Sequence, residues 1–143
     1  MKKLIFLGCL VGMLSSSFAA DAPAPAAFLA KDSRCFEMRT YYAAPGKLAG
    51  LNARFRDHTN KLFIKHGITP IAYWVPTDQG AVTDAKLIYL LAYPSREARE
   101  QSWKAFGADP AWKAAQTASE ANGKLVARVE SVFLSATDYS PMK

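Results

Sequence analysis

The sequence predicts an α+β domain with the element order β-α-β-β-α-β. Three observations carry the prediction. Four short stretches alternate between two faces, as strands do. One long stretch repeats apolar residues at steps of three and four, as a helix does. A later helical stretch holds two separate start signals, Ser95 and Asp109-Pro110.

Taken in order, Phe36-Glu37-Met38-Arg39-Thr40-Tyr41-Tyr42 reads as the heart of a strand over about 35–43. Phe36, Met38, Thr40 and Tyr42 share one face; Glu37, Arg39 and Tyr41 share the other. A carboxylate, a guanidinium and a phenol on one face furnish the rim or interior of an enclosed polar pocket. Ala44-Pro45-Gly46 ends the strand, and Pro is tolerated in a first helical turn. The helix spans about 46–66, with Leu48, Leu51, Phe55, His58, Leu62 and His66 on one stripe and Gly67 at the C-terminal cap. Ile68 to Val75 is the second strand, closed by Pro76. A polar loop over 76–84 leads to the third, Lys86 to Tyr93. Pro94 breaks that strand and Ser95 caps a helix, with Glu97 and Glu100 near its positive end. This helix carries Ala98, Trp103 and Phe106 and stops at Gly107. Asp109 and Pro110 then supply an N-cap and a first position for a short helix to about Ala121. Asn122-Gly123 turns the chain, Leu125 to Ser135 is the last strand, and 137–143 is a tail. The order is that of a ferredoxin-like sandwich, a four-stranded antiparallel sheet with helices on one face.

The third strand adds a partner. Leu87, Tyr89, Leu91 and Tyr93 lie on one face and Ile88, Leu90 and Ala92 on the other, so both faces are apolar. Helices cover only one. An uncovered apolar sheet face marks an association surface, and the simplest occupant is a second copy packed sheet to sheet. A homodimer is therefore expected.

The N-terminus reads as an export signal. Met1-Lys2-Lys3 is basic, Leu4 to Leu14 is almost wholly apolar, and small residues precede Asp21. The apolar run is shorter than the roughly 20 residues of a membrane span. Cleavage fits after Ala19, with Ser17 at −3, or after Ala20. The expected division is a signal peptide over 1–19, an Ala/Pro-rich linker over 20–33 that cannot pack a core, and one domain over 34–143. The expected location is the periplasm or the medium, with no integral membrane segment in the mature chain. Loss of Lys2 and Lys3 lowers the formal charge from +6 to +4, 16 basic against 12 acidic residues. That surplus is spread along the chain with no basic run, which excludes the pattern of a nucleic-acid binder. Cys9 leaves with the leader, so Cys35 has no intrachain partner and reads as a structural thiol or an intersubunit bond.

The residues also resemble a known family. Phe36-Glu37-Met38-Arg39-Thr40-Tyr41, Pro45-Gly46-Lys47-Leu48, His58, Lys65-His66-Gly67-Ile68, Ala72-Tyr73-Trp74, Leu90 to Ala98, Asp109-Pro110-Ala111-Trp112 and Thr137 to Pro141 are similar, in order and spacing, to the NIPSNAP domain. The resemblance covers nearly all of 35–141 and implies a dimeric α+β barrel. Relatives of that architecture include cofactor-free monooxygenases, isomerases and haem enzymes, so the resemblance implies no single reaction.

Candidate chemistry rests on few side chains. His58, on the apolar stripe between Phe55 and Leu62, is the candidate general base, a core His being the plainer reading. Glu37, Arg39, Tyr41, Trp74 and Tyr89 are the candidate ligand-binding residues. In one reading Arg39 holds a carboxylate or enolate and Glu37 orients it. In the other the two pair with each other, or with residues of the last strand such as Arg128 and Glu130, in a cross-strand or intersubunit ion network. Alternation leaves open which of Tyr73 and Trp74 faces inward. No metal site is expected: His58 and His66 lie eight residues apart, roughly 12 Å along a helix. No cofactor is expected either, although a lone His leaves haem open. Three functions compete. One is an exported dimer that binds a small apolar or aromatic molecule in a barrel cavity. Another is a cofactor-free monooxygenase or isomerase with His58 as base, and the third a non-catalytic interaction module.

Overall fold

Strands form where two faces alternate, and the two later helices follow side-chain caps at Ser95 and Asp109. The computed structural model describes residues 28–78 and 85–143. The expected leader, most of the expected linker and residues 79–84 of the polar loop lie outside that range. The elements are β1 (Cys35–Ala43), α1 (Leu48–Arg54), a π-helical turn (Phe55–Thr59), α2 (Asn60–Lys65), β2 (Thr69–Trp74), β3 (Lys86–Tyr93), α3 (Arg96–Ala108), α4 (Pro110–Ser119) and β4 (Val126–Leu134). The sheet order is β2-β3-β1-β4 with every neighbour antiparallel. This is the ferredoxin-like α+β arrangement.

The start and stop residues act as their chemistry predicts. Ser95 Oγ accepts the Ala98 N–H at 3.1 Å, and Asp109 Oδ1 accepts that of Ala111 at 2.8 Å. Gly67, at φ +75°, carries the chain out of α2 in the left-handed region that favours glycine. Asp109 also ties two helices together: its Oδ2 accepts Lys65 Nζ and contacts His66 Nε2, each at 2.7 Å. The bonds from Lys65 and His66 hold its carboxyl well below the usual range. His66 therefore works at the α2–α4 junction.

One face of the sheet is covered by the helices. Leu87, Tyr89, Leu91 and Tyr93 of β3 pack there with Leu51, Phe55, Phe63 and Phe106. The opposite face holds a smaller cluster, Phe36, Ala92 and Ala136, joined by Ile71 and Leu90. Met38, Trp74, Val132 and Leu134 lie exposed beside it. Residues 28–30, expected as tether, are instead strapped to the tail. Leu29 bridges Thr137, and the Ala30 N–H donates to the Ala136 carbonyl at 2.9 Å. The Ala/Pro alternation ends at Ala27, and the strap is held by backbone bonds, the Phe28 and Leu29 side chains staying exposed.

The first helix departs from its expected register. Its inward stripe runs Leu51, Phe55, Thr59, Phe63, all buried. The regular spacing predicts His58 and Leu62 after Phe55. A π turn lies between: the Asn60 N–H reaches the Phe55 carbonyl, five residues back. One added residue swings everything after it by about 100° about the helix axis. Thr59 takes the inward place and His58 is exposed.

Candidate functional site

The polar face of β1 turns under the helices, where Glu37 is fully buried. Five donors converge on its carboxylate. Oε1 accepts from Arg39 Nη1 at 2.6 Å, Ser131 Oγ at 2.6 Å and Arg99 Nη2 at 2.9 Å. Oε2 accepts from Tyr93 Oη at 2.9 Å and Arg99 Nε at 3.0 Å. Burial alone would raise its pKa. The bonds from Arg99 and Ser131 and the charge of Arg39 outweigh that and hold it at about 2. A carboxylate so saturated has no lone pair to spare for a substrate proton. Its work is to fix the groups around it.

Those groups back the wall of a cavity. Trp103 Nε1 donates to Tyr93 Oη at 2.7 Å, so the Trp103 ring is locked through Tyr93 to Glu37. Arg39 donates from Nε to Tyr89 Oη at 3.1 Å. Its guanidinium lies 4.4 Å from the Trp103 ring centre and 5.6 Å from that of Tyr41. Trp103 and Tyr41 in turn line a cavity of about 160 Å³, completed by Phe55, Thr59, Phe63, Phe106, Gly107 and Trp112. Burial pushes the Tyr89 hydroxyl well above its ordinary pKa and that of Tyr73 up to about 12, so both are neutral. The arrangement is an aromatic chamber backed by two guanidiniums and one carboxylate, a local surplus of one positive charge.

Of the residues singled out in the sequence, the structure brings Glu37, Arg39, Tyr41 and Tyr89 together. It leaves His58 and Trp74 outside. His58 is turned outward by the π turn and does not line the cavity. Trp74, paired with Ile88, sits half-exposed on the uncovered sheet face, whereas Tyr73 pairs with Tyr89 and faces the helices. Glu37 and Arg39 pair with each other at 2.6 Å, one of the two forms the ion-network reading allowed, and not with Arg128 and Glu130. The latter two stand opposite Tyr42 and Thr40, on the other face, and pair with each other and with Tyr42. Ser131 could have been found, since it lies opposite Arg39 in an antiparallel register. Arg99 reaches the site only through the docking of α3, which no local pattern reveals. Among the described residues no group of three or more His, Cys, Asp or Glu could hold a metal ion. Likewise no helix there is long and apolar enough to cross a membrane.

The NIPSNAP family model matches residues 36–141. The chain belongs to the NIPSNAP family. Solved structures agree on the fold. A NIPSNAP family protein of unknown function from Agrobacterium tumefaciens superposes with a TM-score of 0.70 at 16% identity, covering 81% of this chain and 99% of that one. An uncharacterized NIPSNAP domain protein from Burkholderia xenovorans gives 0.62 at 23% identity, covering 75% and 98%. A second Agrobacterium tumefaciens family member gives 0.65 at 21%, covering 76% and 98%. No curated protein matches the chain.

Proposed function

We propose that this NIPSNAP protein is an exported homodimer that binds a small, single-ring aromatic molecule between its sheet and its helices. The aromatic cavity carries the reading. A void of about 150 Å³ is enough for benzene, and the chamber here is about 160 Å³, lined by Phe, Tyr and Trp rings with Thr59 and Tyr41 as its hydroxyl-bearing residues. Ligand pockets share this make-up, apolar walls with a few fixed polar groups. The neighbouring guanidiniums favour an electron-rich ring. Export rests on the leader, and dimerisation on the exposed apolar side chains of the uncovered face. Binding is favoured over an oxygenase or isomerase because the candidate base, His58, lies outside the chamber and Glu37 is saturated.

Trp103 and Trp112 line the chamber, so their fluorescence reports occupancy. Titration of the mature protein with single-ring aromatics is expected to give saturable quenching. Native mass spectra are expected to show one adduct per chain. Absence of both signals across uncharged and charged single-ring compounds would overturn the reading.

A further inference from the structure

Beyond the chamber lies a groove of about 340 Å³ between α4 and β4. Tyr41 and Trp112 line both, so chamber and groove share a wall. Among the residues that line the groove is Arg54, whose side chain is only 3% exposed. An arginine so buried normally spends its donors on fixed acceptors. Arg54 spends one nitrogen. Its Nη1 donates to Glu120 Oε1 at 3.0 Å and, at 3.4 Å, to Ser119 Oγ. Its Nε is buried with no partner. Nη2 makes no bond to protein among the described residues. Nε–H and Nη2–H point the same way along one edge of the guanidinium, the fork that takes the two oxygens of a carboxylate.

We propose that the groove is an anion subsite in which the Nε/Nη2 fork of Arg54 takes the carboxylate of a ligand whose ring occupies the chamber. The ligand class is thereby an aryl carboxylic acid with a short spacer. This deepens, and rests on, the binding reading above. The Arg54 guanidinium lies 5.3 Å from the centre of the Trp112 ring, and Trp112 lines chamber and groove alike. The charges agree: Lys124 and Arg128 join Arg54 around the groove against Glu120 alone, although Arg128 is also paired with Glu130 outside it. Glu120 is already bound at Nη1, on the other side of the guanidinium, and disfavours a doubly charged anion beside it. Arg39 is the poorer anchor, because its Nε and Nη1 are held by Tyr89 and Glu37.

The test compares phenylacetate with phenylacetamide, nearly the same shape without the charge, by tryptophan fluorescence on the mature protein. Phenylacetate is expected to bind about tenfold or more tightly, the range of a charged hydrogen-bonded pair. Arg54→Lys keeps a cation but removes the fork and is expected to shrink that ratio to about threefold or less. A measurement on the unaltered protein stands beside it, in case the variant folds poorly: the side-chain Nε–H resonance of Arg54 should shift with phenylacetate and stay with the amide. Equal affinities, a ratio that survives Arg54→Lys, or an unmoved Nε–H under saturating phenylacetate would each overturn the anion subsite and leave the chamber standing. Failure of both compounds and of other single-ring aromatics to bind would remove the chamber reading and this one with it.

Discussion

Glu37 is where a single residue decides most. It neutralises one of two guanidiniums, orients Arg99 and Arg39, and through Tyr93 fixes the Trp103 ring. Removing one partner of a buried ion pair leaves the other charges uncompensated and costs about 3–5 kcal/mol. Glu37→Gln is therefore expected to lower stability by about 3 kcal/mol or more in urea denaturation. The pH dependence follows from the same bonds. The carboxyl falls from its ordinary 4.5 to about 2 in the folded chain. A depressed pKa stabilises the fold fully above the unfolded value, and that contribution is lost as pH falls through the folded one. The window is thus from about 4.5 down to about 2, worth on the order of 3 kcal/mol. Asp109 is also depressed and adds to the acid loss. The difference between unaltered protein and Glu37→Gln isolates the Glu37 share. A difference that stays flat across the window would refute the assignment. Half of this cluster is legible in the sequence, since alternation puts Glu37, Arg39 and Tyr41 on one face and Tyr89 and Tyr93 on one face. Ser131 and Arg99 are the members it hides, and Arg128 and Glu130 mislead because they repeat the same spacing on the opposite side of the sheet.

Among the elements, the π turn separates what the sequence shows from what it hides. Every strand, both later helices and their caps follow from alternation and cap chemistry. The first helix is legible in extent but not in register. A stripe read at three and four places His58 inward. A wide turn costs one residue and brings Thr59 in, where its Oγ1 donates to the Arg54 carbonyl at 3.2 Å. A buried Thr bonded to backbone suits that place better than an imidazole among Phe55, Phe63 and Phe106. The register makes a ranked prediction. His58→Ala, at an exposed position, should change stability by about 0.5 kcal/mol or less. Thr59→Val keeps the volume and loses the bond, and should cost about 1 kcal/mol. Regular α spacing would reverse the order, because His58→Ala would then empty a core site. Urea denaturation of the two variants side by side decides between them. The same shift bears on function, since it places a hydroxyl instead of a base in the chamber.

At the scale of the whole molecule the sheet has one face too many. The helices cover the side that carries Glu37, Tyr89 and Leu91, and the other side keeps Met38, Trp74, Val132 and Leu134 exposed. These lie toward the Phe36 end and centre of the sheet. Lys86, Tyr42 and Arg128 form a row at the far end of β1, β3 and β4, and Glu130 stands one row in, level with Trp74. An apolar field with a charged end suits the proposed packing on a second copy, with the charges left to set the register. The expected outcome is that the mature chain sediments as two chains at micromolar concentration. Met38→Glu with Val132→Glu puts two carboxylates into the apolar field without touching the helix-side core, so one chain is expected, folded by circular dichroism. Trp74 gives an independent reading, because dimerisation buries it and should shift its emission to the blue on raising the concentration. The chamber lies on the opposite side of the sheet from this field. Ligand binding should therefore survive in the single chain, weakened only as far as the sheet loses rigidity. A pair of chains that persists in the double variant would place the contact elsewhere, with the long exposed edge of β4 as the next surface to test.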